Sequence, residues 1–227
     1  MRLMKLRHVA DIRNSNVDKV VVDGEQPIRL CNYVDVYKND FIEADMDFSA
    51  GSATKAEIKA FGLREGDVII TKDSEDRNDI GVPALVRSTA PDLVCGYHLS
   101  LLRAKKGVAI GPFLFWALLS KPARDAFSNA AYGITRFGMT LGGMKNVAIP
   151  LPDLATQRRI ADFLDRETAR IDRTIACIAG RGADKNAPKG TLLHLLAEKR
   201  SALITAAVTG QIDVETSMGS VTPTERT

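Results

Sequence analysis

Residues 149–172 read IPLPDLATQRRIADFLDRETARID, in which two prolines directly precede a long amphipathic pattern. A proline fixes its own φ angle and disfavours helix in the residue before it, so Pro150 and Pro152 delay the helix until after residue 152. Asp153 then suits the N-cap or the first turn, where its carboxylate accepts free backbone N–H groups. The stretch predicts a globular domain over residues 1–152 and a long helix that begins immediately after it.

The predicted helix carries a seam of side chains that recur at alternating three- and four-residue steps. These are Leu154, Gln157, Ala161, Leu164, Thr168, Ile171, Ile175 and Ile178. Such heptad spacing is typical of a coiled coil, and this seam is about 35 Å long. Ile160 and Phe163 widen it, enough to contact both a partner helix and the preceding domain. Acidic and basic residues alternate beside the seam, with Asp162 and Arg166 in the favourable i,i+4 order, which favours a protein partner over DNA.

The remaining C-terminal region predicts a second helix after a loop. Residues 181–190, RGADKNAPKG, contain glycine, asparagine and proline, which stop a helix and favour an exposed loop. A wide apolar stripe over 191–208 predicts the second helix, and Gly210 would end it. The helical arm, residues 153–210, is expected either to fold back as a hairpin or to form a long helix broken by a bulging loop. We expect residues 211–227 to form a disordered tail.

Composition sets limits without indicating a function. The chain has 227 residues and a formal net charge of +3, so the charge neither predicts nor excludes DNA binding and suggests that one such domain alone binds DNA weakly. No apolar run reaches the roughly 20 residues of a membrane span, and we expect a cytoplasmic protein. Cys31, Cys95 and Cys177 are far apart and are expected to be small hydrophobic residues rather than metal ligands or disulfide partners.

The predicted fold class is α+β, a mixed α/β domain followed by long C-terminal coiled-coil-type helices. Short runs rich in valine, isoleucine and leucine predict strands at 19–23, 28–36, 67–72, 83–87 and 97–103. Helices are predicted at 53–61, 112–119 and 121–131, and the second of these is almost wholly apolar and therefore buried. The irregular alternation of elements does not indicate a parallel nucleotide-binding sheet.

Three segments together resemble the specificity subunit of type I restriction-modification systems, in a half-length form with one target recognition domain. They are GITRFGM at 133–139, the stretch at 149–172, and LLAEKRSALITAAVTGQID at 195–213. In that family a target recognition domain ends in an I-P-L-P strand, and a helix of the Q-R-x-I-A-x-F-L-D-R-E-T-x-R-I-D type follows. The matching residues here are Gln157, Arg158, Ile160, Ala161, 163–168, 170–172 and 198–213. The family usually continues as one helix, from which the insert at 181–190 departs.

The resemblance implies a non-catalytic subunit that binds double-stranded DNA. Residues 1–152 would read half of a bipartite target, and the arm would dock methyltransferase (modification) subunits and, indirectly, the restriction subunit. S-adenosylmethionine, ATP and Mg are then expected only on those partner subunits. The expected docking residues are Leu154, Gln157, Ile160, Phe163, Leu164, Ile171, Ile175, Leu196 and Leu203. A half-length form also predicts pairing with a second copy or with another half-subunit. The alternative is a degenerate interaction protein that retains partner binding without reading a sequence.

Two loops are candidates for DNA contact. The first, TKDSEDRND at 71–79, offers Lys72 and Arg77 for phosphates or guanine edges, and Ser74 and Asn78 for base edges. The open alternative is a solvated loop whose carboxylates keep it soluble.

The second candidate, residues 132–145, combines glycine hinges with Thr135, Arg136 and Lys145. Glycine allows close approach of the backbone to a phosphate, and arginine supplies a bidentate fork. The alternative is a simple helix-to-strand connector, and we expect a mixed role in which Phe137 packs inward and Arg136 contacts DNA.

Two further patterns are interpreted as structural. His98, in CGYHL, is expected to be a satisfied core residue of a buried strand. Asp47, Glu57 and Lys59 have a spacing that nucleases use for a divalent metal, but Glu57 and Lys59 lie on a predicted helix, where residues two apart point in different directions. The sequence contains neither a phosphate-binding G-x-x-x-x-G-K-[ST] loop nor an adenine-methylation tetrad.

Overall fold

The computed structural model of the chain describes residues 1–179 and 191–214. The strands, in chain order β1 to β12, are Arg2–Lys5, Ala10–Asn14, Gln26–Cys31, Phe41–Ile42, Ser49–Ala53, Val68–Thr71, Asp73–Ser74, Pro83–Val86, Leu93–Cys95, Leu99–Ala104, Phe137–Gly138 and Ala148–Leu151. The helices, α1 to α8, are Leu6–Val9, Tyr33–Lys38, Lys55–Phe61, Gly111–Leu119, Lys121–Ala130, Leu141–Asn146, Leu154–Ala179 and Leu192–Thr209.

Two sheets of more than two strands form the body of the domain. The larger has the order β2-β10-β6-β8-β4, in which all neighbours are antiparallel except β4 and β8. The smaller has the order β5-β3-β9, with β3 and β9 parallel. The helices follow these strands irregularly, so the architecture is the predicted α+β type. In the part of the chain that the structure describes, no helix is long and apolar enough to cross a membrane.

The last strand of the domain pairs with the first strand of the chain. Strand β12, which carries the I-P-L-P sequence, pairs antiparallel with β1, so that Pro150 lies opposite Leu3. Helix α7 then begins at Leu154, as predicted. Asp153 caps it, because its carboxylate accepts the backbone N–H of Thr156 at 2.9 Å and the Thr156 hydroxyl at 2.8 Å. These hydrogen bonds, that of the backbone first, lower the pKa of Asp153.

Helix α4 lies at the centre of the largest core cluster, as its apolar sequence predicts. Phe113 and Trp116 are completely buried there. The same cluster contains side chains from the helical arm, including Leu164 of α7 and Val208 of α8. The arm therefore begins as part of the domain core and is not a separate projection.

Two buried polar contacts attach α7 to the domain. Gln157 is fully buried, and its amide makes three hydrogen bonds: it accepts from Ile110 N at 3.1 Å and donates to the carbonyl oxygens of Val108 (3.0 Å) and Pro152 (2.9 Å). About two turns further along α7, Asp165 accepts the indole N–H of the buried Trp116 at 2.8 Å. Buried polar groups of this kind fix the position of one element against another, because displacement would leave them without partners.

Helix α8 folds back along α7, so the hairpin is the arrangement that the structure adopts. Arg200 of α8 binds Asp172 of α7 at 2.9 Å and Asp40 of the domain at 2.5 Å. Gly210 ends α8 in the left-handed conformation with φ +73°, as predicted. The insert at 181–190 and the end of the expected tail, 215–227, lie outside the described residues. Residues 211–214, the first of the expected tail, lie against the core, where Val214 is buried.

The strand and helix predictions differ in their outcomes. Strands predicted at 67–72, 83–87 and 97–103 correspond to β6, β8 and β10, and the helices predicted at 53–61, 112–119 and 121–131 correspond to α3, α4 and α5. The strand expected at 19–23 is wrong, because this valine-rich segment lies exposed on the surface without strand pairing. The strand expected at 28–36 ends at Cys31, because Asn32 and Asp35 form a capping box that starts α2.

Candidate nucleic-acid interface

The two candidate loops, about 60 residues apart in sequence, meet in a two-stranded ribbon formed by β7 and β11. Phe137 lies opposite Ser74, and Gly138 lies opposite Asp73. The backbone N–H of Met139 extends the contact by donating to Lys72 O at 2.9 Å. The ribbon therefore joins the loops into one surface, which neither sequence pattern indicates by itself.

Residues 132–138 form a closed loop at one end of the ribbon. Tyr132 and Gly138 exchange two backbone hydrogen bonds of 3.0 and 2.9 Å. Gly133 has a φ of +128°, and a Cβ atom at this position would lie 2.0 Å from Arg136 O, so only glycine fits. Beyond this clamp the loop presents exposed side chains, among them Thr135, as well as Ile134 with an exposed fraction of 92%. A clamped backbone that exposes apolar and cationic side chains is a surface suited to a partner.

Asp73 lies at the centre of a side-chain cluster on this surface. Its Oδ1 accepts a hydrogen bond from Arg136 Nη2 at 2.9 Å and lies 2.7 Å from Nδ1 of His98. The hydrogen bond to Asp73 raises the pKa of Arg136, which stays charged. The side chain of Arg136 is 61% exposed, whereas that of Asp73 is 20% exposed. Asp73 therefore holds an arginine whose side chain is mostly exposed.

The expectation that His98 is a core residue of a buried strand is wrong. Tyr97 and His98 form a turn between β9 and β10, and their side chains are 49% and 42% exposed. The two rings meet edge to face, with centroids 4.8 Å apart. The predicted strand at 97–103 thus begins two residues too early, because β10 starts only at Leu99.

Lys72 is held within the surface. Its Nζ donates to Ser15 O at 3.0 Å and lies 4.5 Å from the centroid of the Tyr97 ring. Partial burial lowers the pKa of this lysine. Because its ammonium group contacts both Ser15 O and the Tyr97 ring, the structure does not place Lys72 as a free phosphate contact.

The other candidates of the first loop have internal partners as well. The Ser74 hydroxyl accepts hydrogen bonds from the Tyr33 hydroxyl at 3.1 Å and from Asp76 N at 3.2 Å. Asn78 donates to Asp76 from its backbone (2.9 Å) and its side chain (3.2 Å). Arg77 is exposed, with its guanidinium 5.1 Å from the centroid of the Phe137 ring. Of the first loop, Arg77 and Asn78 are the exposed candidates.

Beside the ribbon lies a cleft with a volume of about 620 Å³. Its lining residues are Tyr33, Tyr37, Asp73, Ser74, Glu75, Asp76, Asp79, His98 and Arg136. Burial raises the pKa of Asp79, and it also raises that of Tyr33. Because four carboxylates line the cleft, it repels phosphate, whereas carboxylates, hydroxyls and arginine together match the donors and acceptors of base edges.

Lys145 is not part of this cluster. It lies half-buried on α6, which packs against α1 and β2, and it does not line the cleft. The sequence analysis grouped Lys145 with Arg136 because the two residues are close in the chain. In the structure β11 and the start of α6 lie between them.

The docking residues expected on the arm fall into two groups. Gln157, Ile160, Phe163 and Leu164 are buried against the chain's own domain, and Ile171 is 9% exposed. Because α7 packs against α4 and α8 of the same chain, these side chains are covered within the chain. The half-buried members are Leu154, Ile175, Leu196 and Leu203. The exposed apolar side chains at the far end of the arm are Ile178, Leu192 and Leu195.

The spacing that resembles a nuclease metal site has another explanation. Glu57 lies on α3, where its carboxylate accepts from the N–H and hydroxyl of Thr54 at 3.0 and 2.7 Å and completes a capping box. These hydrogen bonds lower the pKa of Glu57. Over residues 1–179 and 191–214, no group of three or more histidine, cysteine or acidic residues is placed to hold a metal.

Comparison with known proteins identifies the family. A model of the type I restriction modification DNA specificity domain matches residues 15–177. The chain belongs to this family. Members of this family are generally non-catalytic. The comparison with curated proteins gave no significant match.

Two solved structures of specificity subunits are similar to this specificity domain and its arm. The HsdS subunit from Thermoanaerobacter tengcongensis aligns with a TM-score of 0.50 and 20% identity, over 93% of this chain and 45% of that chain. The S subunit of a type-I restriction-modification system from M. genitalium aligns with a TM-score of 0.49 and 13% identity, over 78% of this chain and 41% of that chain. This specificity domain thus spans less than half the length of either structure.

Proposed function

We propose that this chain is a non-catalytic specificity subunit that binds half of a bipartite DNA target. The observation that carries the proposal is the β7–β11 ribbon, which joins both candidate loops into one surface bearing Arg136, Ile134 and Arg77. Family membership supports DNA reading as the activity of this domain. Base contacts from this surface would supply specificity, while phosphate contacts elsewhere would supply much of the affinity.

The arm is proposed to dock methyltransferase subunits through the apolar far end of its hairpin. Leu192 and Leu195 on α8 and Ile178 on α7 are each about half exposed. Apolar side chains grouped at the end of a helical hairpin are a typical contact surface for another helix. The buried part of the seam would transmit the position of the docked subunit to the domain, because Gln157 and Trp116 attach α7 to the core.

We further propose that two copies of this chain, or this copy and another half-subunit, act together. Two copies related by a twofold axis would read a palindromic bipartite site, because protein symmetry is mirrored in the operator. Methylation mapping in cells that express this chain with its modification subunit tests this directly. A non-palindromic motif in the absence of another half-subunit would exclude the homodimer.

Co-purification tests docking. Leu192→Asp with Leu195→Asp should abolish recovery of the methyltransferase subunit with the full chain. The matched control is Leu3→Asp, because Leu3 is also exposed, at 68%, and lies on β1. Met1, at the start of the same segment, approaches Gly210, which is at the opposite end of α8 from Leu192 and Leu195. Equal recovery with both variants would show that the far end of the hairpin does not dock this subunit. A chain that recovers the subunit but directs no methylation would be the degenerate interaction protein.

A further inference from the structure

We propose that Arg136 recognises a guanine in the major groove, and that Asp73 is the positioning residue that holds its guanidinium in the reading orientation. This inference rests on the proposed function and specifies one of its contacts. Arginine recognises guanine by donating two parallel hydrogen bonds to O6 and N7, a geometry that requires the guanidinium plane to be fixed.

The cluster around Asp73 supplies that fixed plane. Asp73 is anchored by the pairing of β7 with β11, and Arg136 belongs to the loop that Tyr132 and Gly138 close. Among the described residues, the hydrogen-bonding contacts of Arg136 go through Nη2 alone, to Asp73 and, at 3.4 Å, to His98. Nδ1 of His98 lies 2.7 Å from Asp73, and when it donates to Asp73 it accepts nothing from Nη2. The second hydrogen of Nη2 then stays available together with Nη1, and guanine needs two adjacent donors of this kind.

The surrounding charges favour a base over a phosphate. Asp73 offsets the charge of Arg136, and Glu75 is close enough to act on it electrostatically. Both carboxylates and the neighbouring Asp76 line the same cleft and would repel a phosphate group. A carboxylate can accept a hydrogen bond from the N4 amino group of cytosine, so this set of side chains complements a G·C pair.

Selection from a pool of randomised double-stranded oligonucleotides by the full chain, in complex with its methyltransferase subunit, tests the inference. The wild type should select a motif with at least one obligatory guanine. Arg136→Lys keeps the charge and loses the fork, and Asp73→Asn loses the charge that holds it. Each should lower the preference for guanine at that one position by roughly 10- to 100-fold and leave the other positions unchanged.

The matched control is Asp92→Asn, which breaks a comparable pair on the smaller sheet. There Arg29 donates to Asp92 from Nε at 2.9 Å and from Nη2 at 3.0 Å. This variant should select the wild-type motif unchanged. Circular dichroism establishes whether each variant is folded, and if Asp73→Asn is not, Arg136→Lys carries the test because its side chain is 61% exposed.

The outcomes separate this inference from the proposed function. If the wild type selects no motif, both fail. If it selects a motif and Arg136→Lys retains the guanine preference, or weakens binding to all sequences equally, Arg136 does not read a base and only this inference fails. If Asp73→Asn behaves as Asp92→Asn does, the positioning role of Asp73 is excluded.

Discussion

Replacement of Gln157 by methionine should destabilise the whole chain, because the buried amide is one of the two polar attachments of α7 to the domain. Methionine is similar in length and apolar, so it fills the space without a cavity and removes only hydrogen bonds. The change leaves the N–H of Ile110 and the carbonyl oxygens of Val108 and Pro152 without their side-chain partner.

The magnitude follows from these three groups. An unpaired buried N–H costs about 1–3 kcal/mol, and a carbonyl that loses one of its partners costs less because it has two lone pairs. We expect the free energy of unfolding to fall by roughly 2–4 kcal/mol, a large part of the about 5–15 kcal/mol of a typical domain.

Urea unfolding followed by tryptophan fluorescence measures this loss. Trp116 is the only tryptophan of the chain and donates to Asp165 on α7, so its emission reports directly on the α4–α7 interface. The control, Gln211→Met, alters an exposed glutamine beyond the end of α8 and should stay within about 0.5 kcal/mol of the wild type. A Gln157→Met chain as stable as that control would refute the view that the buried amide holds α7 on the domain.

Three further predictions concern other parts of the molecule. Arg200→Met leaves the carboxylates of Asp40 and Asp172 without their shared cation. Urea unfolding should show that the free energy of unfolding falls by about 1–2 kcal/mol. No decrease would mean that apolar packing alone holds the hairpin. Gly133→Ala should abolish DNA binding in a mobility-shift assay with little change in the unfolding midpoint, whereas Gly142→Ala, whose added Cβ meets only Thr140 Oγ1 at 3.9 Å, should bind normally. A thiol reagent at neutral pH should modify the exposed Cys177 and spare the two buried cysteines, whose pKa burial raises; rapid modification of all three in the native chain would contradict this burial.

Much of the fold could be predicted because its signals are local. The start of α7 depends on two prolines and a capping aspartate within five residues, and the end of α8 depends on one glycine in the left-handed conformation. The burial of α4 follows from its almost wholly apolar composition. Each of these features is determined by side chains close in sequence, for which residue chemistry alone gives the answer.

The candidate site was predicted only in its parts. Both loops were identified from their polar and glycine residues, but the pairing of Ser74 with Phe137 depends on strand register between distant segments. His98 was missed because its partner Asp73 lies 25 residues away. Conversely, Lys145 was included because it is near in sequence, although it does not line the cleft.

The sequence by itself determined that a long amphipathic helix leaves a mixed α/β domain through a proline strand, because heptad spacing, proline and capping chemistry act over a few residues. Only the tertiary structure decided what covers the apolar seam. A stripe of apolar side chains requires burial but does not specify against what, and here α4 and the returning α8 bury Ile160, Phe163 and Leu164. Whether a chain's own core or a partner covers such a stripe depends on three-dimensional packing. The periodicity of one helix gives no information about that packing.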